Sequence, residues 1–79
     1  MGLEYSRILE EFEDCCKRCG IEDACEDIDD AFLKLHRAVR FKSKIEDREA
    51  IWELSKMLCD FEEKFKEAFM RKLGYTIGL

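Results

Sequence analysis

The sequence predicts an all-α protein: an up-down-up antiparallel three-helix bundle with an overlong third helix through which the chain dimerises. Apolar residues recur at alternating three- and four-residue steps along most of the chain, which is the period of an α-helix. Two short interruptions, around Gly20 and Ser43, are the size of turns that join antiparallel neighbours. We therefore expect one helical domain over residues 1–79, with helices at about 3–19, 23–41 and 44–73.

Capping residues mark the ends of the first helix and the start of the second. Gly20 follows the first helix and suits the left-handed conformation that ends many helices. Asp23, with Glu26 three residues later, has the pattern of a capping box. The second helix is therefore expected to begin at Asp23.

The third helix shows the strongest periodicity. Ser43 with Glu46 forms a second capping-box pattern and predicts its start, and Gly74 predicts its end, where Tyr75 can fold back on Met70. Six apolar residues share one side of this helix and form its predicted seam: Ile51, Leu54, Leu58, Phe61, Phe65 and Ala68.

The length of the third helix predicts an interface. It extends past the second helix by about nine residues, or roughly 13 Å. An exposed apolar patch of this kind usually marks a contact with another chain, so we expect a homodimer; the alternative is that the C-terminal tail covers the patch. The predicted interface residues are Phe65, Phe69, Met70, Leu73, Tyr75 and Ile77.

Composition excludes some classes of function. The net charge is −5, with 42% charged residues, which argues against a nucleic-acid partner. No secretion signal or apolar stretch of membrane-spanning length occurs, so we expect a cytoplasmic protein that does not contact a membrane. The chain lacks proline, asparagine and glutamine and is rich in glutamate, lysine and arginine, a composition typical of thermophiles.

The five cysteines have three possible roles. Helical spacing predicts that all of them lie towards one end of the bundle, with His36 at the other end, level with Tyr5. They can be small buried core residues, or disulfides such as Cys16 to Cys25 and Cys19 to Cys59, or ligands of zinc or an iron–sulfur cluster. The candidates for a disulfide or a metal are Cys15, Cys16, Cys19, Cys25 and Cys59.

One set of carboxylates resembles a known catalytic motif. Glu10, Glu11 and Asp14, followed by Glu26 and Asp29, resemble the EExxE/D…ExxD pattern of the MazG-like, all-α nucleotide pyrophosphohydrolases, over about twenty residues. The resemblance implies that these carboxylates hold Mg²⁺ on a nucleoside triphosphate and help to activate water.

The function predicted from these features is binding, with no catalytic residues and no cofactor. We expect a small helical protein–protein interaction module, adaptor or regulatory, whose partners are a second copy of itself and another protein. Two alternatives stay open: a Mg²⁺-dependent MazG-like nucleotide pyrophosphohydrolase, and a metal-binding module in which cysteines hold zinc.

Overall fold

The computed structural model describes residues 3–74, and the side chains of residues 5–74. Within that part of the chain there are three α-helices and no strands: α1 (Leu3–Cys19), α2 (Glu22–Arg37) and α3 (Arg48–Lys72). A π-helical segment, Ala38–Lys42, continues α2. The predicted small all-α bundle is confirmed. No helix within residues 3–74 combines the length and the apolar character needed to cross a membrane.

The turn between α1 and α2 is tighter than the sequence predicts. Gly20 has the expected positive φ of 70°. The Gly20 amide donates to the Lys17 carbonyl and the Ile21 amide to the Cys16 carbonyl, the pair of bonds that defines a Schellman motif. Ile21 is already the N-cap of α2 and has no side-chain cap, so the predicted Asp23 capping box is wrong.

The second turn also differs from the prediction. The Ser43 hydroxyl donates to the Val39 carbonyl at 2.7 Å, one turn back, and does not cap α3. Lys44 has a φ of 60°, which interrupts the helical backbone. Asp47 is the N-cap instead, and its Oδ1 accepts from the backbone amides of Glu49 and Ala50. The start at 44 and the capping box of Ser43 and Glu46 are therefore wrong, and α3 begins at Arg48.

Contacts between side chains give the directions of the helices. Tyr5 contacts Glu62, and Phe12 packs against Phe69 with ring centroids 5.6 Å apart, so α1 and α3 run in the same direction. The disulfide between Cys16 and Cys25 joins antiparallel α1 and α2. The order is therefore up-down-up.

The core lies towards the end of the bundle where α1 meets α2. Its buried members come from all three helices: Ile8, Phe12, Cys15, Cys16, Cys25 and Met70. Ile21, Ile28 and Phe69 pack against this cluster. Met70 is fully buried within one chain, so the prediction that it lies on an exposed end of the third helix and forms an interface is wrong.

The register of α3 against α2 explains this error. Lys66 lies beside Asp29, and Glu62 lies beside His36. A helical hairpin symmetric about Ser43 would instead place Asp29 beside a residue of α3 about nine positions before Lys66. Because the extended segment after Ser43 delays the start of α3, the last turns of α3 lie against α1 and α2 and do not extend past them.

Candidate functional site: the two faces of α3

The buried side of α3 is not its apolar side. The residues of α3 that are buried are Ser55, Cys59, Glu62, Lys66 and Met70. The first four each follow directly after a residue of the predicted seam: Leu54, Leu58, Phe61 and Phe65. One residue corresponds to about 100° around an α-helix. The helix is therefore rotated by about 100° from the orientation that its apolar seam predicts.

A buried polar network accompanies this orientation. Lys66, whose exposed fraction is 2%, donates from Nζ to Glu62 Oε2 at 2.8 Å and to Asp29 Oδ1 at 2.5 Å. Glu62, whose exposed fraction is 5%, also accepts on Oε1 from the Tyr5 hydroxyl at 2.5 Å. The His36 Nε2 lies 3.1 Å from the same oxygen. All three helices thus contribute to one hydrogen-bonded cluster, which fixes the rotation of α3.

Burial and these donors perturb two ionisable groups of the network. Burial raises the pKa of Tyr5, and the hydrogen bond to the Glu62 carboxylate raises it further. Burial by itself raises the pKa of Glu62, but hydrogen bonds from Lys66, Tyr5 and His36 outweigh it, so the pKa lies below its ordinary value of 4.5. The cluster therefore favours a neutral tyrosine and an ionised glutamate.

The network is packed as part of the interior. The Lys66 ammonium lies 4.7 Å from the Phe12 ring centroid and 5.8 Å from that of Phe32, both within the range of a cation–π contact. A cavity of about 280 Å³ opens beside it, lined in part by Leu9 and Leu33. Each member of the cluster has a hydrogen-bond partner on another helix or one turn away on α3.

The outer side of α3 carries a row of exposed apolar residues. Leu54, Met57, Phe61 and Phe65 are 39%, 65%, 55% and 39% exposed, and we call these four residues the α3 apolar stripe. Phe32 of α2 covers one edge, with its ring centroid 5.8 Å from that of Phe61 and 5.7 Å from that of Phe65. Among the residues that the structure describes, the rest of the stripe is exposed.

The predicted interface residues separate into three groups. Phe65 belongs to the stripe, and Leu73 is exposed. Phe69 and Met70 face the core. Tyr75 and Ile77 lie outside the described residues. The periodicity of Leu54 and Phe61 predicted a buried seam, so the sequence analysis did not identify these two residues as part of the surface.

The cysteines do not form one cluster. Cys16 and Cys25 are joined in a disulfide, whereas Cys19 is exposed and free. Cys59 is buried beside Tyr5, towards the opposite end of α1, so the expectation of five neighbouring cysteines and of a bond from Cys19 to Cys59 is wrong. Burial, with Cys19 Sγ 4.0 Å away, raises the pKa of the Cys15 thiol to about 11. Cys15 is therefore a poor nucleophile at neutral pH.

The carboxylates of the MazG-like motif are also dispersed. Each of three of them forms an ion pair with a different base. Glu11 Oε1 lies 3.8 Å from Arg7 Nε, and Asp14 Oδ2 lies 3.2 Å from Arg18 Nε. Asp29 Oδ1 pairs with Lys66 Nζ. A cavity of about 330 Å³ between α1 and α2 is lined by Glu26 and Asp29 but by none of the motif's α1 carboxylates. Among the described residues, no group of three or more histidine, cysteine, aspartate or glutamate side chains is placed to hold a metal ion.

Comparison with known proteins gives no relative for this chain. No family model matches it, and neither does any curated protein or solved structure.

Proposed function

We propose that the protein is a small helical protein–protein interaction module that self-associates through the α3 apolar stripe. One observation carries the proposal: α3 exposes its apolar side and buries charged side chains. Burying ionised groups carries a large desolvation cost. Leaving large apolar side chains in water loses the favourable free energy of removing their surface from water. A helix with both features is better explained by burial of its outer side against a partner.

The energetic scale supports this use of the stripe. Complete burial of a leucine, methionine or phenylalanine side chain contributes about 1.5–3 kcal/mol relative to its exposure. The stripe has four such side chains, each between 39% and 65% exposed, in each copy. Their burial in both copies of a symmetric pair is large enough to offset much of the cost of association.

The test is the solution mass of the wild type and of two variants, measured by light scattering after size exclusion. Met57→Glu places a charge at the most exposed residue of the stripe, which is 65% exposed. Trp52→Glu is a matched control, because Trp52 is 61% exposed but lies about 160° around α3 from Leu54. The expected masses are a dimer of the 9.4 kDa chain for the wild type and Trp52→Glu, and a folded monomer for Met57→Glu.

Far-ultraviolet circular dichroism checks that each variant keeps its helices. A wild type that stays at 9.4 kDa at the highest attainable concentration contradicts self-association. A dimer that survives Met57→Glu but is lost in Trp52→Glu contradicts the choice of face.

A further inference from the structure

We infer that the occupant of the α3 apolar stripe is the same stripe of a second copy, with the two α3 helices antiparallel and the twofold axis close to Phe61. This inference rests on the proposed function and adds to it the partner and its orientation. Two patterns on α3, one apolar and one charged, have their centres at nearly the same residue.

The apolar pattern is symmetric about Phe61. Met57 and Phe65 stand four residues to either side of it, and Leu54 and Ala68 stand seven to either side. In an antiparallel pair centred there, Phe61 meets the partner copy of itself, Met57 meets Phe65, and Leu54 meets the small Ala68. On either side of the axis, the large Phe65 faces the flexible Met57 and Leu54 faces the small Ala68, which suits close packing.

The charged pattern lies along the border of the stripe beyond Met57. Glu53 and Asp60 occupy its N-terminal half, and Lys64 and Arg71 its C-terminal half. All four fall within about 40° of one another around the helix. Two acid–base pairs are each symmetric about residue 62, one residue from Phe61: Glu53 with Arg71, and Asp60 with Lys64. Antiparallel pairing therefore places acid opposite base along this border in both copies.

These four charges are available for contacts between copies. Within residues 5–74, the ion pairs of 4.0 Å or shorter are confined to α1 and to the network around Glu62 and Lys66. Glu53, Asp60, Lys64 and Arg71 are all exposed. In a parallel symmetric pair the charged borders of the two copies lie on opposite sides of the interface, so these acid–base contacts between copies are not made.

The orientation is tested by charge reversal, with the dimer dissociation constant measured by sedimentation at low ionic strength. Lys64→Glu places two acidic groups opposite each other at two symmetry-related positions, so we expect about tenfold weaker association. Adding Asp60→Lys restores the opposite pairing and is expected to return the constant to within about threefold of the wild type. Interactions between residues 60 and 64 of one helix are present in both monomer and dimer, so they largely cancel.

Each outcome has a separate meaning. Weakening by the single change and recovery in the double variant support the antiparallel pair. A dimer that depends on Met57 but shows no recovery in the double variant overturns the antiparallel inference and leaves the proposed function standing. A wild-type monomer, or a dimer indifferent to Met57→Glu, overturns both. The second pair, Glu53→Arg with Arg71→Glu, repeats the test at a different position.

Discussion

A helix in a bundle usually turns its apolar side inward and its charged side outward, and α3 does the reverse. The inner face holds Glu62 and Lys66 in a hydrogen-bonded network, whereas the outer face holds Phe61 and Phe65, the residues immediately before them. A rotation of about 100° would bring the outer face to the position that the inner face occupies. Apolar content does not by itself decide which face of a helix turns inward, because a buried network with contributions from every helix can hold the helix in a given rotation.

The two faces also have different consequences for stability. The inner face is closed within one chain, so changes there act on folding. The outer face is open, so changes there act on association and have small effects on folding.

Removal of the Lys66 ammonium is expected to have the largest effect. Lys66→Ala leaves the Glu62 carboxylate buried with one donor fewer and opens space beside Phe12, so the free energy of unfolding should fall by about 3–5 kcal/mol. Chemical denaturation followed by circular dichroism measures the change. Lys56→Ala is the matched control at an exposed lysine of α3 outside the stripe and its charged border, expected within about 1 kcal/mol of the wild type. Equal losses in both variants would remove the distinction between the faces.

Reduction of the disulfide between Cys16 and Cys25 is expected to have an intermediate effect. The bond closes a short loop, with a sequence separation of 9, and its loss should lower the free energy of unfolding by about 2–3 kcal/mol. The comparison is denaturation with and without a thiol reductant. Because the bond joins α1 to α2 at the core and lies away from the stripe, the dimer mass should not change while the protein remains folded. Loss of the dimer from the folded reduced protein would place the interface near the disulfide.

Removal of the Tyr5 hydroxyl is expected to lower the free energy of unfolding least of the three changes, and to alter how that free energy depends on pH. The pKa of Glu62 is below 4.5 in the folded chain, so its contribution is present above about pH 4.5 and is lost as the pH falls through the folded value. The pKa of Tyr5 is above its ordinary 10.0, so its contribution is present below pH 10.0 and is lost as the pH rises beyond it.

Tyr5→Phe should therefore lower stability at neutral pH by about 1.5–3 kcal/mol, the range for a hydrogen bond to a charged group. It should also reduce the alkaline loss and move the acid loss to higher pH, because Glu62 then has fewer donors. Denaturation midpoints measured from pH 3 to pH 11 test this. A variant with the same pH profile as the wild type would show that Tyr5 does not contribute to the network.

Much of the fold follows from local sequence signals, but the orientation of α3 does not. Gly20 and the helical periodicity identify the bundle and its first turn. The second turn depends on competition among Ser43, Lys44 and Asp47, which capping patterns alone do not resolve. A shift of the helix start changes every contact predicted across the bundle.

The candidate site was predicted in kind but not in place. An apolar surface on the third helix was expected, and Phe65 lies in it, whereas Leu54 and Phe61 are residues that periodicity assigns to the seam. Glu62 and Lys66 are spaced four apart, as in ordinary exposed helical ion pairs, and nothing local distinguishes them from such a pair. Their burial depends on Tyr5, Asp29 and His36, which are far from them in sequence.

The most direct measurement is of contacts between copies in a mixture of isotopically labelled and unlabelled chains, by filtered nuclear Overhauser spectroscopy. Burial of the outer face by a second, antiparallel copy requires contacts from the Met57 methyl to the partner's Phe65 ring and from Phe61 to the same residue of the partner. Intermolecular contacts from Met70 or Lys66 would contradict the division between the faces. The absence of intermolecular contacts to Met57, Phe61 and Phe65 at millimolar concentration would contradict self-association through the stripe.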